Sequence, residues 1–322
     1  MTSPILSIDD LTVRLPTPTG VVHAVSDLSL TVRRGEFIGI VGESGCGKTT
    51  LALAVLRLLN ESAMVSGRIV LDGVEVLGAS TEQLLRLRRG VVAFIPQDPL
   101  ASLDPTFSVG AQIVETIRAH DRHVSRRAAR TRAVQLMESV GIVDAAGRFD
   151  AAPHTFSGGM RQRVAIAIAI ANEPALIVAD EPTTALDVTV QRQVLELLRA
   201  LSTQTGTAIC MITHDLAVAA DVCDRLVVLY AGKIVEEGPV GDVLSTPRHP
   251  YTRALIDAIP RPGVPRGQLA VIPGELPDPQ APPSGCRFAG RCVHRMEQCA
   301  DEPPLMAVGE SCRAACWLVS DR

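Results

Sequence analysis

The eight residues GESGCGKT at positions 42–49 constrain this chain more than any other stretch. They fit the pattern G-x-x-x-x-G-K-[ST]. An apolar run, FIGIV, precedes them, and Leu51, Val55 and Leu58 follow at helical spacing. That order predicts a strand, a glycine-rich turn and a helix. Such a turn points successive backbone N–H groups inward, where phosphate oxygens would sit, and the helix adds its positive end. Gly42 and Gly47 let the backbone curl, Lys48 reaches the β- and γ-phosphates, and Thr49 offers a hydroxyl to Mg²⁺. Lysine occurs at only two positions, 48 and 233, so chance would rarely place one inside this motif.

A second segment, LIVADE, buries four apolar residues and ends in Asp180 and Glu181. Asp180 is placed to hold the Mg²⁺ shell, and Glu181 to act as base for an attacking water. Elsewhere VVAFI, ALIVADEP and TAICMITHD read as strands. Asp72-Gly73 and Gly232 mark tight turns, and residues 111–142 are charged and rich in helix formers. This alternation predicts an α/β fold. RVAIAIAIA at 163–171 stays open: alternate isoleucines suit a strand, while alanine content and length suit a helix. Cys46, beside a helix N-terminus, has two readings: a reactive thiol of lowered pKa or, in preference, a small side chain filling a tolerant position.

Composition narrows the function classes. The net charge is −4, from 31 basic and 35 acidic residues, and aromatic content is 3%, which argues against a nucleic-acid surface. The N-terminus lacks the basic and apolar regions of a signal peptide. The most apolar stretch is interrupted by Asn172, Glu173 and Pro174, short of a bilayer span. The chain is therefore expected in the cytosol or peripheral to a membrane. From residue 260 prolines recur, which predicts a linker or extended arm. Beyond it lie five of the eight cysteines: Cys286, Cys292, Cys299, Cys312 and Cys316. Cytosolic cysteines of this density point to metal ligands or redox groups. No C-x-x-C is present, and four thiolates suit either zinc or an iron–sulfur cluster. Arg287, Arg291 and Arg295 interleave the first three, either to offset negative charge or as a solvated face.

Further motifs resemble one family. FSGGMRQR at 156–163 resembles the signature of ABC ATPases; Gln97 in FIPQDP matches their Q-loop, Asp187 in TALD their D-loop, and His214 in MITHD their switch histidine. The resemblance covers about residues 5–258. It implies a P-loop NTPase of the ABC type: a RecA-like α/β core, an antiparallel β subdomain and a helical subdomain. It divides the chain into an ATPase domain, 1–259, and a Pro-rich and Cys-rich extension, 260–322. ATP would be bound by Gly42, Glu43, Ser44, Gly45, Cys46, Gly47, Lys48, Thr49 and Thr50, and Mg²⁺ by Thr49, Gln97 and Asp180. Glu181, His214 and Gln97 would be catalytic. Ser157, Gly158, Gly159 and Asp187 would complete the ATP site of a second ATPase domain packed head to tail. The resemblance also makes Val164–Ala171 a helix. Two departures stand out: Met160 replaces the usual Gln, and residues 1–36 hold no Phe, Tyr or Trp to stack on adenine, leaving His23 as the nearest flat ring.

VGESGCGKTT, IPQDPLASLDP, DEPTTALDVTVQ, HPYTRAL and the tail GCRFAGRC together resemble the ATPase subunits of bacterial oligopeptide, dipeptide and nickel importers. This implies partners: a second ATPase, often a different chain, two membrane permeases and an extracytoplasmic binding protein. It places the chain on the cytoplasmic face of the inner membrane. Some members carry a [4Fe–4S] cluster on the cysteines matching Cys286, Cys292, Cys299 and Cys316, with zinc the alternative. Two rival readings are a soluble DNA-repair ATPase with a cysteine-bound metal, and a regulator whose cluster gates ATP use.

Overall fold

A computed structural model describes residues 3–184, 186–259 and 270–319. The chain forms two compact units. The first comprises residues 1–5, 32–37 and 71–211, and the second residues 6–31, 38–70 and 212–322.

In the first unit, the strands Leu176–Asp180 and Val92–Ile95 are sheet neighbours. Leu176–Asp180 is buried along its whole length, as its unbroken apolar run requires, and pairs in parallel with Val92–Ile95. Three helices, Val109–His120, Arg126–Ser139 and Gly158–Ile170, pack on one another through Ile113, Ile117, Ala129, Ala133, Met137 and Ile166. Each starts on a serine. Ser108, Ser125 and Ser157 accept a hydrogen bond from the backbone N–H three residues on. Gly158–Ile170 resolves the open segment: the alternating isoleucines lie on a helix capped by Ala171, and all but Arg163 and Ile168 of 163–171 are buried. Period two failed there because no face of the helix needs polarity.

The second unit carries the strand order Met306–Val308, Cys312–Ala314, Lys233–Pro239, Arg225–Tyr230 and Phe37–Val41. All pairs are antiparallel except the last, which is parallel. Ala231 and Gly232, both at positive φ, make the tight turn expected at Gly232. Gly20–Val32, Leu6–Thr17 and Met64–Leu71 are neighbours in a second sheet. The helix after the phosphate loop is shorter than its periodicity suggests. It spans Lys48–Val55, Arg57 turns to φ 50°, and Leu58 is 46% exposed. Among the described residues no helix is long and apolar enough to cross a membrane.

Candidate functional site: a phosphate loop clamped by the C-terminal segment

The fully buried strand Phe37–Val41 delivers Gly42 to the loop. A side chain at Gly42 would sit on the carbonyl oxygen of Leu229, and one at Gly47 on that of Ala24. Gly47, at φ 105°, precedes helix Lys48–Val55 and supplies no side-chain cap, so the first helical N–H groups stay directed into the loop. Lys48 is 5% exposed. Its Nζ donates to the carbonyls of Gly42, at 2.7 Å, and Glu43, at 2.9 Å. The ammonium is thus held over the curl that the motif predicts.

Cys46 follows the second of its two readings. It is 1% exposed, and burial raises its thiol above the ordinary value, outweighing the pull of Lys48 3.8 Å away. Desolvation of a thiolate costs more here than the helix end returns. Cys46 is a packed, protonated thiol rather than a reactive one.

The C-terminal half of the chain holds this loop from behind. The backbone N–H of Glu43 donates to Tyr251 Oη at 2.9 Å. Arg291, with a side chain 6% exposed, donates through Nη1 and Nη2 to the Glu43 carboxylate at 2.7 and 3.0 Å. This bidentate pair fixes both the angle and the distance of the loop. Tyr251 is fully buried and meets Tyr230 edge-on, with centroids 4.6 Å apart, while Phe288 closes on both rings. His249 sets the start of helix Pro250–Asp257: its Nδ1 accepts from the Tyr251 N–H at 3.0 Å. Burial pushes its imidazole down to about 3, so it is neutral and fit to accept. Glu236, 1% exposed, accepts from the backbone N–H groups of Arg248 and His249 at 2.7 and 2.9 Å.

The acidic residues belong to the first unit. Asp180 ends its buried strand at 2% exposure, and Glu181 turns the chain at φ 46°. Ile95 lies opposite Ala179 in the parallel ladder, so Gln97 and Glu181 emerge at the same strand ends. Gln97 Nε2 donates to Glu181 Oε2 at 3.0 Å, and Thr184 Oγ1 donates to the same oxygen at 2.8 Å. Ser157 caps helix Gly158–Ile170, and Asp187 caps Val188–Thr205, accepting from the Val190 N–H at 2.9 Å. A side chain at Gly159 would strike Val190, so that glycine lets the two helix starts approach. Gly42–Thr50 and His214 lie in the second unit, and His214 is exposed, following strand Ala208–Thr213.

In the tail, Cys286, Cys292, Cys299 and Cys316 line one cavity, together with Met296 and Trp317. Its volume is about 10 Å³, room for roughly one water molecule. Burial raises the thiols of Cys286 and Cys292, and that of Cys316 to about 11. Among the described residues no three His, Cys, Asp or Glu side chains stand where they could share a metal ion. The expected [4Fe–4S] or zinc site is therefore not met in this geometry: the thiols converge, but around a cavity smaller than a cluster. Cys312 stands apart, with Sγ 3.9 Å from Asp242. Neither expected role of the interleaved arginines holds for the first two. Arg287 donates to Ser26 Oγ at 2.8 Å and to the Ala231 carbonyl, and Arg291 to Glu43. Only Arg295 is a solvated side chain.

Residues 25–184 match the family model of the ABC transporter, and residues 235–299 that of the oligopeptide/dipeptide transporter C-terminal region. The chain is 46% identical over 320 residues to a probable D,D-dipeptide transport ATP-binding protein, DdpD, of Escherichia coli, covering 98% of this chain and 97% of that one. It is 44% identical to the oligopeptide transport ATP-binding protein OppD of Salmonella typhimurium, covering 97% and 93%. The dimeric ATP-binding cassette MJ0796, in a post-hydrolysis state with ADP and Pi, superimposes with a TM-score of 0.67 at 27% identity, covering 73% of this chain and 98% of that one. The chain belongs to the ABC transporter ATPase family.

It is accordingly an ATPase with the ABC fold. The clamp on the loop of this ABC ATPase was only half visible in sequence. HPYTRAL marked the subfamily, but nothing in it announced that Tyr251 reaches the Glu43 N–H. The signal for Arg291 was its place between cysteines, which pointed to the wrong partner. Glu236 carried no signal in the sequence; it lies buried in its strand, where it accepts from backbone N–H groups.

Proposed function

We propose that this chain is the ATP-hydrolysing subunit of a bacterial importer of oligopeptides or dipeptides. The observation that supports it most is the clamp. The stretch matching the oligopeptide/dipeptide C-terminal region supplies Tyr251 and Arg291, and both hold Glu43 inside the phosphate loop. The relatives that match over nearly the whole chain are named for peptide transport. They do not favour the nickel-importer or DNA-repair readings.

In this reading residues 1–259 carry the ATPase and 260–322 form an extension that serves it. Gly42–Thr50 wrap the phosphates, with Lys48 on the β- and γ-oxygens. Thr49, Gln97 and Asp180 present a hydroxyl, an amide oxygen and a carboxylate, hard oxygen donors that suit Mg²⁺. The ion, when bound, neutralises charge developing on the phosphates. Glu181 takes the proton of the attacking water. The two hydrogen bonds from Gln97 and Thr184 orient its carboxylate. His214 contacts the γ-phosphate. Ser157, Gly158, Gly159 and Asp187 serve the ATP site of a second ATPase subunit, and closure and release of that pair move two membrane permeases. A binding protein outside the cytoplasmic membrane supplies the peptide, and this subunit sits on its cytoplasmic face. Glu181→Gln should leave MgATP binding intact and lower turnover about 10²–10⁴-fold. Near-normal hydrolysis in that variant would remove Glu181 from the role of base.

A metal cluster in the tail is a second reading, supported by the four cysteines around one cavity. It requires the thiols to ionise and the cavity to widen. Iron, sulfide and zinc per chain, measured after anaerobic purification of the wild type and Cys316→Ser, decide it. About four irons and four sulfides lost in the variant support a cluster, one zinc a structural ion, and neither metal a purely packed tail.

A further inference from the structure

The phosphate loop opens into a cavity of about 380 Å³, within the size range of small-ligand sites. Lys48 and Thr49 line one part of it. Leu15, Val22 and His23 from the strands Leu6–Thr17 and Gly20–Val32 form one wall. The opposite material comes from far along the chain: Leu276, Pro277 and Pro282 of the proline-rich arm line the same space. All of these residues are half-buried, apart from the buried Lys48 and the exposed Thr49.

The arm is held in place on both sides of this contact. The N–H of His23 donates to the Pro279 carbonyl at 2.8 Å, and Gln280 Nε2 donates to Thr19 Oγ1 at 2.9 Å. On the other side Arg291, already paired with Glu43, donates through Nε to the Pro273 carbonyl at 2.7 Å and through Nη2 to that of Ile272 at 3.3 Å. Leu276 Cδ1 comes to 4.0 Å from where a side chain at Gly45 would begin. Prolines limit the conformations of the arm, so the surface is formed before any ligand arrives.

A nucleotide whose phosphates lie on Lys48 and Thr49 has a flat, mostly apolar base to bury. No Phe, Tyr or Trp occurs in residues 1–36 to receive it. From this placement we infer that the nucleobase is bound between the Leu15–Val22–His23 wall and the C-terminal arm at Leu276–Pro277. The inference rests on the reading of Gly42–Thr50 as the ATP phosphate site. It makes the arm part of the nucleotide pocket. An aliphatic sandwich also holds adenine and guanine by the same contacts, so purine choice should be weak, with GTP binding within a few-fold of ATP.

The test compares MgATP with Mg-tripolyphosphate, which has the phosphates and no base, on the full-length chain. Leu276→Glu, which places a charge against the base, should weaken MgATP binding roughly tenfold or more and leave tripolyphosphate within twofold. Leu276→Ala should give a smaller change with the same selectivity. Equal weakening of both ligands, or of neither, overturns the inference. Lys48→Ala tests the underlying reading separately, since it should remove both ligands; if wild type binds neither, that reading fails and not the arm. A second measurement needs no variant: photolabelling of the wild type with 2-azido-ATP should place label on the peptide containing Leu276–Pro282. Label confined to other peptides overturns the arm as a base contact.

Discussion

The phosphate loop and the cysteine-rich tail are both parts of the second unit, and both present side chains that sequence inspection singles out. They differ in what carries the work. In the loop the backbone makes the site. Gly42 and Gly47 are needed because a Cβ would strike a carbonyl oxygen, and Lys48 folds over the curl it belongs to. Everything lies within eight consecutive residues, so spacing alone reports it. In the tail the work is done by docking. Arg291 meets Glu43 across 248 residues, and Arg287 meets Ser26 across 261. Local spacing contains no trace of either partner. Contiguous sites can be read from a chain; clamps between distant segments appear only once it is folded.

The strongest way to break this contrast is at the loop itself. Lys48→Ala should lower ATP hydrolysis about a hundredfold or more, with the folded state intact by circular dichroism. A small effect would mean that the loop does not carry the phosphates. Next is the clamp. Arg291→Ala leaves the Glu43 carboxylate, 30% exposed, without its bidentate partner and should cost about 1–2 kcal/mol. In a double-mutant cycle with Glu43→Ala, the two losses should sum to more than the double variant shows. Strict additivity in thermal unfolding would mean that the pair is not coupled.

A smaller effect comes from pH. His249 has a folded pKa of about 3 against 6.5 when exposed. Between those values the unfolded chain binds a proton that the folded chain does not. Stability should therefore fall as pH drops below 6.5, by up to about 1.4 kcal/mol per unit. Glu236, whose carboxyl is raised by burial, works in the opposite sense as pH rises. Comparing wild type with His249→Asn, which keeps an acceptor near the Tyr251 N–H, isolates the histidine: the variant should have the flatter acid limb. An equal slope would remove His249 as its source. Smallest of all, Cys46 should react slowly with iodoacetamide at pH 7 whether or not MgATP is present. Rapid alkylation that MgATP prevents would restore the reactive thiol.

Much of the fold was legible. The strands ending at Gly42, Pro96 and Glu181 were visible as apolar runs, and the turn at Gly232 as a glycine after a strand. Helix Gly158–Ile170 was not, because burial on every side erased the periodicity that separates helix from strand. Of the site, the turn of the phosphate loop followed from its motif, and motifs singled out Gln97 and Glu181 separately, but not the hydrogen bond between them. Tyr251, Arg291 and Leu276 did not. Their roles depend on where a proline-rich arm lies, and an extended arm has no periodicity to read. The cysteines show the reverse error. Their density suggested metal ligands, but they surround a cavity with room for roughly one water, and Arg287 and Arg291 between them fasten the segment.

One further consequence follows from the three-residue strand Cys312–Ala314. It pairs with Lys233–Pro239 through Glu236 opposite Ala314 and Glu237 opposite Arg313, and Met306–Val308 finishes the sheet beyond it. Without these two short strands the row of N–H and C=O groups along Lys233–Pro239 would face solvent, a template on which another chain could add itself. The end of this polypeptide thus acts as a stopper: it closes a sheet that would otherwise be open to aggregation, with a border too short to recruit a neighbour.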